Sequence, residues 1–592
     1  MGPVDRYPSR RGFSWCTGYG NPWLMRKRRR WIVLVLLLLI VLGLVSRLRS
    51  GGDGIRTGSY LLVHLQGGLD EAPPADLIGT VLAESGPNLY DVLLRLRAAA
   101  RDERIAGLVL RVGALDLGWG KAREVRPARL AFRRSEKPVI AVLEQEVLAS
   151  NMEYYVASAA DRLHLAPASS APLTGLGAQF MFLGGMWDKL DIEVHVEKIR
   201  EYKTMGDVIA FDEMTPEHRE MATSLLDGID GEFVGAIASA RGLDEPRVRE
   251  LIDLGLGTPQ QYDDAGLSDG VKYLRTVHDS LGGDQTPLVE LEDYADVDVT
   301  ELGLNVGRKV GVLYASGSIM TGESGTGLTG RHVGADTMAE AFAEIAAADD
   351  IEALVVRVDS PGGSALASDL IWRSRRTVQE EMPVVVSMSD VAASGGYYIA
   401  VGADRIVAQP TTLTGSIGVV VLRPMIREFL AGAGINVEHL SRGKFAHLTD
   451  LTVPLDEAAR AKLAEQAEHI YAEFVDRVAS GRKMTVERVD EVGRGRVWTG
   501  AQALEQGLVD ELGGFWDAID AAKKLAGIDV DEEVELVFFP RPKPLFERVS
   551  ENLGLSAAAS LPQPFADLLR AAVPPFTPGT VLALMPYVIQ IR

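Results

Sequence analysis

IEALVVRV (Ile351–Val358) is an apolar run that has an earlier counterpart in the same chain, IAGLVLRV (Ile105–Val112). Apolar runs without alternation are typical of strands buried on both faces of a parallel sheet. A second pair follows, YYVASAADRLHLAP (Tyr154–Pro167) and YYIAVGADRIVAQP (Tyr397–Pro410). The two pairs are offset by 246 and 243 residues, which indicates an internal duplication.

A third pair, VEKIREYK (Val196–Lys203) and VEHLSRGK (Val437–Lys444), is offset by 241 residues. The constant order and nearly constant spacing predict a first repeat at 57–300 and a second repeat at 301–540, followed by a tail at 541–592. In both repeats strands alternate with helices, which predicts an α/β fold built around parallel sheet. The tail is Pro-rich, and its apolar end, VLALMPYVIQI, is too short and too interrupted by proline to span a membrane. The tail is therefore either a docking segment or a loose end.

The composition limits the classes of function. The chain has 592 residues, 47% of them apolar, and a net charge of −21. Nucleic-acid binding needs clustered Lys and Arg to neutralise phosphates, so this acidic balance argues against a nucleic-acid partner. The single cysteine, Cys16, excludes disulfides, cysteine-based zinc sites and thiol catalysis in the main body. We expect neither a metal nor a cofactor.

The N-terminal region predicts a membrane anchor. A basic cluster at 26–30 precedes an uncharged apolar run, and we place a single transmembrane helix at 31–46. The alternative is a cleaved signal peptide, but VSRLRS, which follows, offers no small-x-small cleavage site. By the positive-inside rule, residues 1–30 lie in the cytoplasm and the body of the chain lies outside.

Two loops of the second repeat follow predicted strands, where the active sites of parallel α/β folds lie. One is DSPGGSA (Asp359–Ala365), whose glycine pair can expose backbone N–H groups. The other follows PVVVSMS (Pro383–Ser389) and carries Ser394 at the start of a predicted helix. Ser394 is either an N-cap, the ordinary role of a serine before a helix, or a nucleophile. The two glycines after it favour the nucleophile, because they weaken a helix start but admit a substrate.

The first repeat lacks these glycine loops. Its counterpart of AASGGYY is LASNMEYY, with Ser150 in place of Ser394 and no glycine pair. Its apolar strand continues into GALDLGWG, without Pro-Gly-Gly. One copy keeps the framework without the loops, which indicates that the loops serve chemistry rather than folding. We therefore expect one serine centre per chain, with an oxyanion hole formed by the helix N-terminus and the glycine loop.

A nucleophilic serine needs a base. His447 is the nearest histidine in the second repeat, and it lies in a stretch with no recognisable partner acid. A lysine can take the place of histidine when desolvation or a nearby positive charge lowers its pKa. Lys203 and Lys444 occupy equivalent places in the two repeats. Chemistry within the second repeat would use Lys444 and chemistry across the repeats would use Lys203, and the residues alone leave both open.

Four stretches together resemble the signal peptide peptidase A family in its long, duplicated, membrane-anchored form. They are DSPGGSA, SDVAASGGYYIAVGADRIVAQPTTLTGSIGV, EYKTMGDVIAFDEMTPEHRE and GRVWTGAQALEQGLVDELGG. The resemblance covers about residues 30–540, and more distantly the body is similar to Clp-type proteases and the crotonase fold. It implies two tandem Clp/crotonase-like α/β domains. The implied activity is that of a serine endopeptidase that degrades cleaved signal peptides and other apolar peptides.

On matching positions, the resemblance implies a Ser/Lys dyad. It makes Ser394 the nucleophile, Lys203 the general base and Ser416 the residue that orients the lysine. In shorter, unduplicated members the serine and the lysine lie in one domain. Lys444 keeps that spacing, so it stays the alternative base.

The resemblance also implies the surroundings of the dyad. Backbone N–H groups at Gly362 or Gly363 and at Gly395 would form the oxyanion hole and bind substrate. The chain would be a homotetramer in the bacterial inner membrane, with its body on the extracytoplasmic side and peptides as its partners. Two other functions stay open: a crotonase-like acyl-CoA enzyme, whose glycine loops are similar, and a non-catalytic membrane scaffold that retains the fold.

Overall fold

The computed structural model describes most of one compact unit, Thr57–Arg592. The described residues are 55–71, 88–126, 135–145, 151–170, 172–327 and 330–541, with two strands at 582–584 and 590–591. Ser150 and the predicted anchor at 31–46 lie outside them. Within the described ranges, no helix is both long and apolar enough to cross a bilayer.

The strands of the described residues are numbered in chain order. They are β1 Ser59–Gly67, β2 Ile105–Leu115, β3 Val139–Leu143, β4 Arg162–Leu165, β5 Ala178–Gln179, β6 Glu193–Ile199, β7 Leu288–Glu290, β8 Arg308–Ser316, β9 Ser318–Met320, β10 Gly325–Gly327, β11 Gly330–Gly334, β12 Ile351–Ser360, β13 Gly362–Ser364, β14 Val384–Ala393, β15 Arg405–Ala408, β16 Leu413–Gly415, β17 Val419–Met425, β18 Val497–Thr499, β19 Glu511–Leu512, β20 Val534–Phe539, β21 Leu582–Leu584 and β22 Gln590–Ile591.

The α-helices are numbered in the same way. They are α1 Leu89–Arg101, α2 Trp119–Val125, α3 Asn151–Ala157, α4 Gly184–Lys189, α5 Met205–Ala210, α6 Pro216–Arg241, α7 Glu245–Asp253, α8 Pro259–Asp264, α9 Leu274–Ser280, α10 Leu291–Tyr294, α11 Ala335–Ala346, α12 Ala365–Gln379, α13 Gly395–Ala400, α14 Arg427–Gly432, α15 Glu457–Arg482, α16 Val486–Val492, α17 Gly500–Glu505 and α18 Phe515–Leu525, with a short 3₁₀ helix at Gly283–Gln285.

The first repeat builds a five-stranded parallel sheet in the order β4-β3-β2-β1-β7. The run IAGLVLRV lies in its central strand, β2, where Leu108, Val109 and Val112 are buried. Each aliphatic side chain buried in this way stabilises the fold by about 1.5–3 kcal/mol. The apolar run therefore forms the centre of a sheet covered on both faces, as its pattern predicts.

The second repeat builds a larger sheet in the order β18-β16-β14-β12-β8-β20, with β15 and β19 beside β14. All of its pairs are parallel except β16 with β18. IEALVVRV occupies its central strand, β12, where Val355 and Val356 are buried. The prediction of a duplicated, largely parallel α/β fold is confirmed.

Two predicted elements of the second repeat differ from the structure in their bounds. The amphipathic stretch TMAEAFAEIAAA (Thr337–Ala348) predicts a helix there, and the structure has α11 at Ala335–Ala346, which buries Met338, Phe342 and Ile345 on one face. The strand predicted to end at Ser389 is β14, which continues to Ala393. β14 therefore ends immediately before Ser394, and this places the serine at the carboxyl end of the strand.

A third sheet joins the two repeats and the tail in the order β10-β11-β9-β13-β21-β17-β6. β6 comes from the first repeat and pairs antiparallel with β17 of the second, from Val419 opposite Ile199 to Met425 opposite Glu193. Lys203 follows shortly after β6, so this pairing carries a residue of the first repeat to the beginning of β17.

The tail contributes strands to two sheets. β21 lies between β13 and β17, and β22 pairs antiparallel with β5. Of the two interpretations of the tail, these strands fit the docking segment. Residues 542–581 between them and the body lie outside the described residues.

Candidate active site

Ser394 lies at the junction of β14 and α13. Its backbone has φ 56° and ψ −115°, a positive φ that residues other than glycine rarely adopt. Ser394 N–H donates to Gly415 O at 2.7 Å, and Tyr398 N–H donates to Ser394 O at 2.8 Å. The serine side chain makes no capping hydrogen bond. The hydroxyl of this buried residue therefore has a role other than the N-cap.

Lys203 brings its amine to that hydroxyl. Lys203 Nζ lies 2.7 Å from Ser394 Oγ, 2.9 Å from Ser416 Oγ and 3.0 Å from Ser416 O. All three residues are fully buried. The structure thus brings together three of the residues predicted from the sequence, one from the first repeat and two from the second.

Burial lowers the pKa of the Lys203 amine well below the ordinary lysine value, and no carboxylate in the described part of the chain opposes this effect. A neutral amine has two N–H donors and one lone pair. Ser416 O can only accept a hydrogen bond, so it takes one N–H, and Ser416 Oγ can take the other. The lone pair is then left for the Ser394 hydroxyl, and this arrangement suits a base that accepts a proton from serine.

Gly495 closes the pocket of the lysine. A Cβ added there would lie 2.4 Å from Lys203 N and 2.6 Å from Lys203 Cα, and the residue has φ 82°. Gly495 N–H donates to Ile417 O at 2.8 Å, and Tyr202 N–H donates to Arg494 O at 3.0 Å. Sequence reasoning assigned no role to Gly495, whose only signal was its place in the stretch GRVWTG.

The predicted oxyanion glycines pack against one another. A Cβ on Gly395 would lie 2.5 Å from Ser368 Oγ and 3.1 Å from Gly363 N, and a Cβ on Gly396 would lie 2.5 Å from Ser360 O. These glycines are therefore required for α13 to approach the loop after β12. The prediction that the glycines serve chemistry rather than folding is incomplete, because local packing requires them as well.

Gly362 and Gly363 form most of β13 and have φ values of 98° and 159°. Gly362 N–H donates to Ser360 Oγ at 3.2 Å. β21 lies antiparallel to this strand, with Gly362 opposite Leu584 and Gly363 opposite Ala583. A segment of extended backbone thus already lies along the glycine strand beside Ser394.

A partly buried cation from the first repeat links the two loops. Lys121 Nζ, on α2, lies 2.8 Å from Asp359 Oδ2, 3.4 Å from Asp390 Oδ2 and 3.6 Å from Glu71 Oε2. Burial opposes the charge of Lys121, but these carboxylates outweigh it and hold the pKa of the lysine well above its ordinary value. Asp359 opens the glycine loop and Asp390 precedes Ser394, so one ammonium group holds both strand ends. Nothing in the sequence pattern singled out Lys121.

The two rival bases lie elsewhere. Lys444 is exposed, with its Nζ 5.2 Å from the centre of the Phe445 ring, and it does not contact the buried Ser394. His447 Nδ1 lies 3.5 Å from Asp450 Oδ2. The prediction that His447 has no partner acid is therefore wrong, because a turn brings the aspartate three residues later beside it.

Comparisons with known proteins identify the family of the chain. Peptidase family S49 matches the chain twice, at residues 131–285 and 376–529. "Serine protease SPPA, chloroplastic" from Arabidopsis thaliana is 35% identical over 511 residues, covering 85% of this chain and 74% of that protein. "Protease 4" from Salmonella typhi is 28% identical over 569 residues, covering 91% of this chain and 90% of that protein. Among solved structures, a ClpP1 mutant from Listeria monocytogenes is similar at 14% identity and a TM-score of 0.23, over 35% of this chain and 94% of that chain.

Proposed function

This chain belongs to peptidase family S49 and is a serine peptidase, and we propose that it cleaves peptides with Ser394 as nucleophile and Lys203 as general base. The observation that supports this assignment is the 2.7 Å contact between Ser394 Oγ and a fully buried lysine amine. Burial favours the neutral amine, and only the neutral form can accept the proton of the serine.

The reaction proceeds in two steps. Ser394 Oγ attacks the carbonyl carbon of the peptide while its proton moves to Lys203 Nζ. The ammonium group then gives that proton to the leaving nitrogen as the C–N bond breaks, which leaves an ester on Ser394. Water gives a proton to the same amine and attacks the ester, and the serine recovers its proton as the acid product leaves.

Ser416 positions the base in this proposal. Its carbonyl and hydroxyl oxygens lie 3.0 and 2.9 Å from Lys203 Nζ, so they fix the amine with its lone pair toward Ser394. The oxyanion would be stabilised by backbone N–H groups of Gly363 and Gly395. Gly362 is the weaker candidate, because its N–H already donates to Ser360 Oγ.

The proposed substrates are extended apolar peptides, including cleaved signal peptides. The position of β21 supports an extended binding mode, since it fills the gap between β13 and β17 by antiparallel pairing. An anchor at 31–46 would hold the body on the extracytoplasmic side of a bacterial inner membrane, near such peptides. The basic cluster before the apolar run supports that orientation.

We also propose that the two repeats form domains, at 57–300 and 301–540, and that the chain assembles into a homotetramer. Both repeats expose apolar side chains, which an assembly could bury. Examples are Met181 and Leu190 in the first repeat and Leu440, 95% exposed, in the second. Light scattering of the detergent-solubilised full chain would measure the mass of the assembly, and a monomer would contradict this part of the proposal.

Three alanine variants test the dyad. Ser394→Ala and Lys203→Ala should each lower kcat/KM for a fluorogenic apolar peptide by about 10⁴-fold or more. Lys444→Ala, the matched control at the equivalent place of the other repeat, should retain activity within about twofold. If Lys444→Ala alone is inactive, the dyad across the two repeats is wrong.

The same preparation tests the two other functions. An acyl-CoA enzyme would turn over an acyl-CoA thioester and leave the peptide intact, and a scaffold would turn over neither. Membership of a peptidase family favours peptide cleavage over these two functions. If Ser394 is the nucleophile, Ser394→Ala should abolish that cleavage.

A further inference from the structure

We propose that His439, His447 and Asp450 form a binding site for a divalent transition-metal ion such as Zn²⁺, away from the dyad. The three side chains each offer one ligand atom, and these atoms lie within 4.8 Å of one another. Asp450 Oδ2 lies 3.4 Å from His439 Nδ1 and 3.5 Å from His447 Nδ1. Ligand atoms about 2.0–2.1 Å from a tetrahedral zinc ion are separated by about 3.3–3.4 Å, so both separations fit.

The hydrogen bonds around Asp450 determine which atoms remain for a metal. Asp450 Oδ1 accepts from Thr452 N–H at 2.9 Å and from Thr452 Oγ1 at 2.6 Å. The Thr452 hydroxyl proton is thus committed to Asp450. Thr452 Oγ1 also lies 3.2 Å from His439 Nε2, so it accepts from that nitrogen. These hydrogen bonds engage Asp450 Oδ1 and leave Oδ2, which faces both imidazoles, for a metal ion.

The same hydrogen bonds bear on the orientation of His439. With the Thr452 hydroxyl proton donated to Asp450, a neutral His439 ring that donates from Nε2 to Thr452 Oγ1 directs the lone pair of Nδ1 toward Asp450 Oδ2. Two acceptors facing each other across 3.4 Å repel, unless a cation lies between them. A metal-binding histidine usually donates its other N–H to an oxygen of the protein, as His439 does to Thr452.

No lysine or arginine of the described residues competes with the imidazoles for the Asp450 carboxylate. Among the described residues, the two imidazoles are the only basic side chains within 4 Å of its oxygens. The nearby Arg423 guanidinium instead donates to the backbone carbonyls of Asp450 and Val453. The three ligand side chains are about a quarter to a third exposed, so an ion and a water as fourth ligand could enter from solvent.

The ion would act as a structural cross-link. Its ligands lie in the irregular chain between α14 and α15, a segment with little regular structure of its own. That segment is attached to the end of β17 through Ile426 N–H, which donates to Leu451 O at 2.9 Å. A bound metal would fix the segment against β17, and its role is separate from peptide cleavage.

Zinc binding to the untagged, chelator-treated full chain tests this site. Calorimetry should show one Zn²⁺ per chain, and Co²⁺ should give the strong visible absorption of a tetrahedral site. His439→Ala, His447→Ala and Asp450→Asn should each weaken binding by at least about tenfold. His469→Ala, which removes an exposed histidine on α15, is the matched control and should bind as the parent does.

The rival is a plain ion pair between Asp450 and protonated histidines. It predicts no binding by the parent chain and no change in its melting temperature with Zn²⁺. That result would overturn the proposal, as would Zn²⁺ binding that is unchanged in all three variants. Since Ser394→Ala should bind Zn²⁺ like the parent, the outcome does not depend on the proposed dyad.

Discussion

The two repeats use the start of the same helix in opposite ways. In the first repeat, Glu153 Oε1 on α3 accepts the N–H of Leu115, at the end of β2, at 2.9 Å. Asn151 Oδ1 accepts the N–H groups of Thr174 and Gly175, and its Nδ2 donates to Gly175 O. Side chains of α3 thus satisfy the neighbouring backbone.

In the second repeat, the corresponding helix α13 begins with two glycines, which have no side chain for that purpose. Gly415, the counterpart of Gly175 in the shared stretch LTG, accepts the backbone N–H of Ser394 at 2.7 Å. Gly418, three residues later, lines the aliphatic part of Lys203, since a Cβ there would lie 3.2 Å from Lys203 Cδ. One framework thus gives either a helix start whose side chains bind the neighbouring backbone, or a site for a reactive group. The second repeat, which has the reactive site, carries a buried lysine and a serine with a strained backbone.

The largest effect should come from removing the buried amine. Methionine fills the same space as Lys203 but has no amine to accept the serine proton, so we expect Lys203→Met to lower kcat/KM by about 10⁴-fold. Because methionine also has no group that must lose a proton on burial, we expect the melting temperature to rise by a few degrees. Peptidase assays and calorimetry on the same preparation measure both quantities.

The stability gain should depend on pH. The folded-state pKa of Lys203 is lowered, so the unfolded chain binds more protons, and the stability of the parent rises with pH between the two pKa values. The advantage of Lys203→Met should therefore be greatest below the lowered pKa and should shrink as pH approaches the ordinary lysine value. An advantage that grows with pH would contradict a neutral buried amine.

The next effect concerns the glycine that distinguishes α13 from α3. Gly395→Ala places a Cβ 2.5 Å from Ser368 Oγ and 3.1 Å from Gly363 N, so it should separate the helix from the glycine loop. We expect kcat to fall by about 10²–10³-fold, the usual loss when an oxyanion donor is displaced. Gly231→Ala on α6, where a Cβ meets nothing within 4 Å, is the control and should remain active.

The fold and the nucleophile could be predicted from the residues of the sequence, whereas the choice of base could not. The apolar runs and their nearly constant offsets were sufficient for the duplicated parallel fold, and the glycine loops were sufficient to select Ser394. The residues alone left Lys203 and Lys444 open, because pairing of β6 with β17 joins segments more than 200 residues apart and has no local pattern. Gly495 and Lys121 were missed for the same reason, since each acts through contacts with the other repeat.

A smaller effect is expected from the tail. β21 pairs with the glycine strand that substrate would use, so a chain ending at Arg541 should bind peptides more tightly. We expect KM to fall several-fold with kcat nearly unchanged, measured by steady-state kinetics against the full chain. A peptide covering residues 578–588, added to the shortened chain, should restore the higher KM. An unchanged KM would show that β21 does not compete with substrate.

The smallest effect separates the two helix starts directly. Glu153→Ala leaves the Leu115 N–H without its acceptor, so it should destabilise the fold by about 1–3 kcal/mol while peptide cleavage at Ser394 stays within about twofold. Glu153→Gln is the matched variant, because it keeps the acceptor and removes the charge.

Burial raises the pKa of Glu153, so the folded chain binds more protons than the unfolded chain between the ordinary glutamate pKa and the raised one, and the stability of the parent falls as pH rises across that interval. The stability of Glu153→Gln should therefore increase relative to the parent over the same range, as followed by calorimetry at several pH values. Equal losses for the alanine and glutamine variants would show that this side chain acts through its charge, and would remove the acceptor role that distinguishes the first repeat from the second.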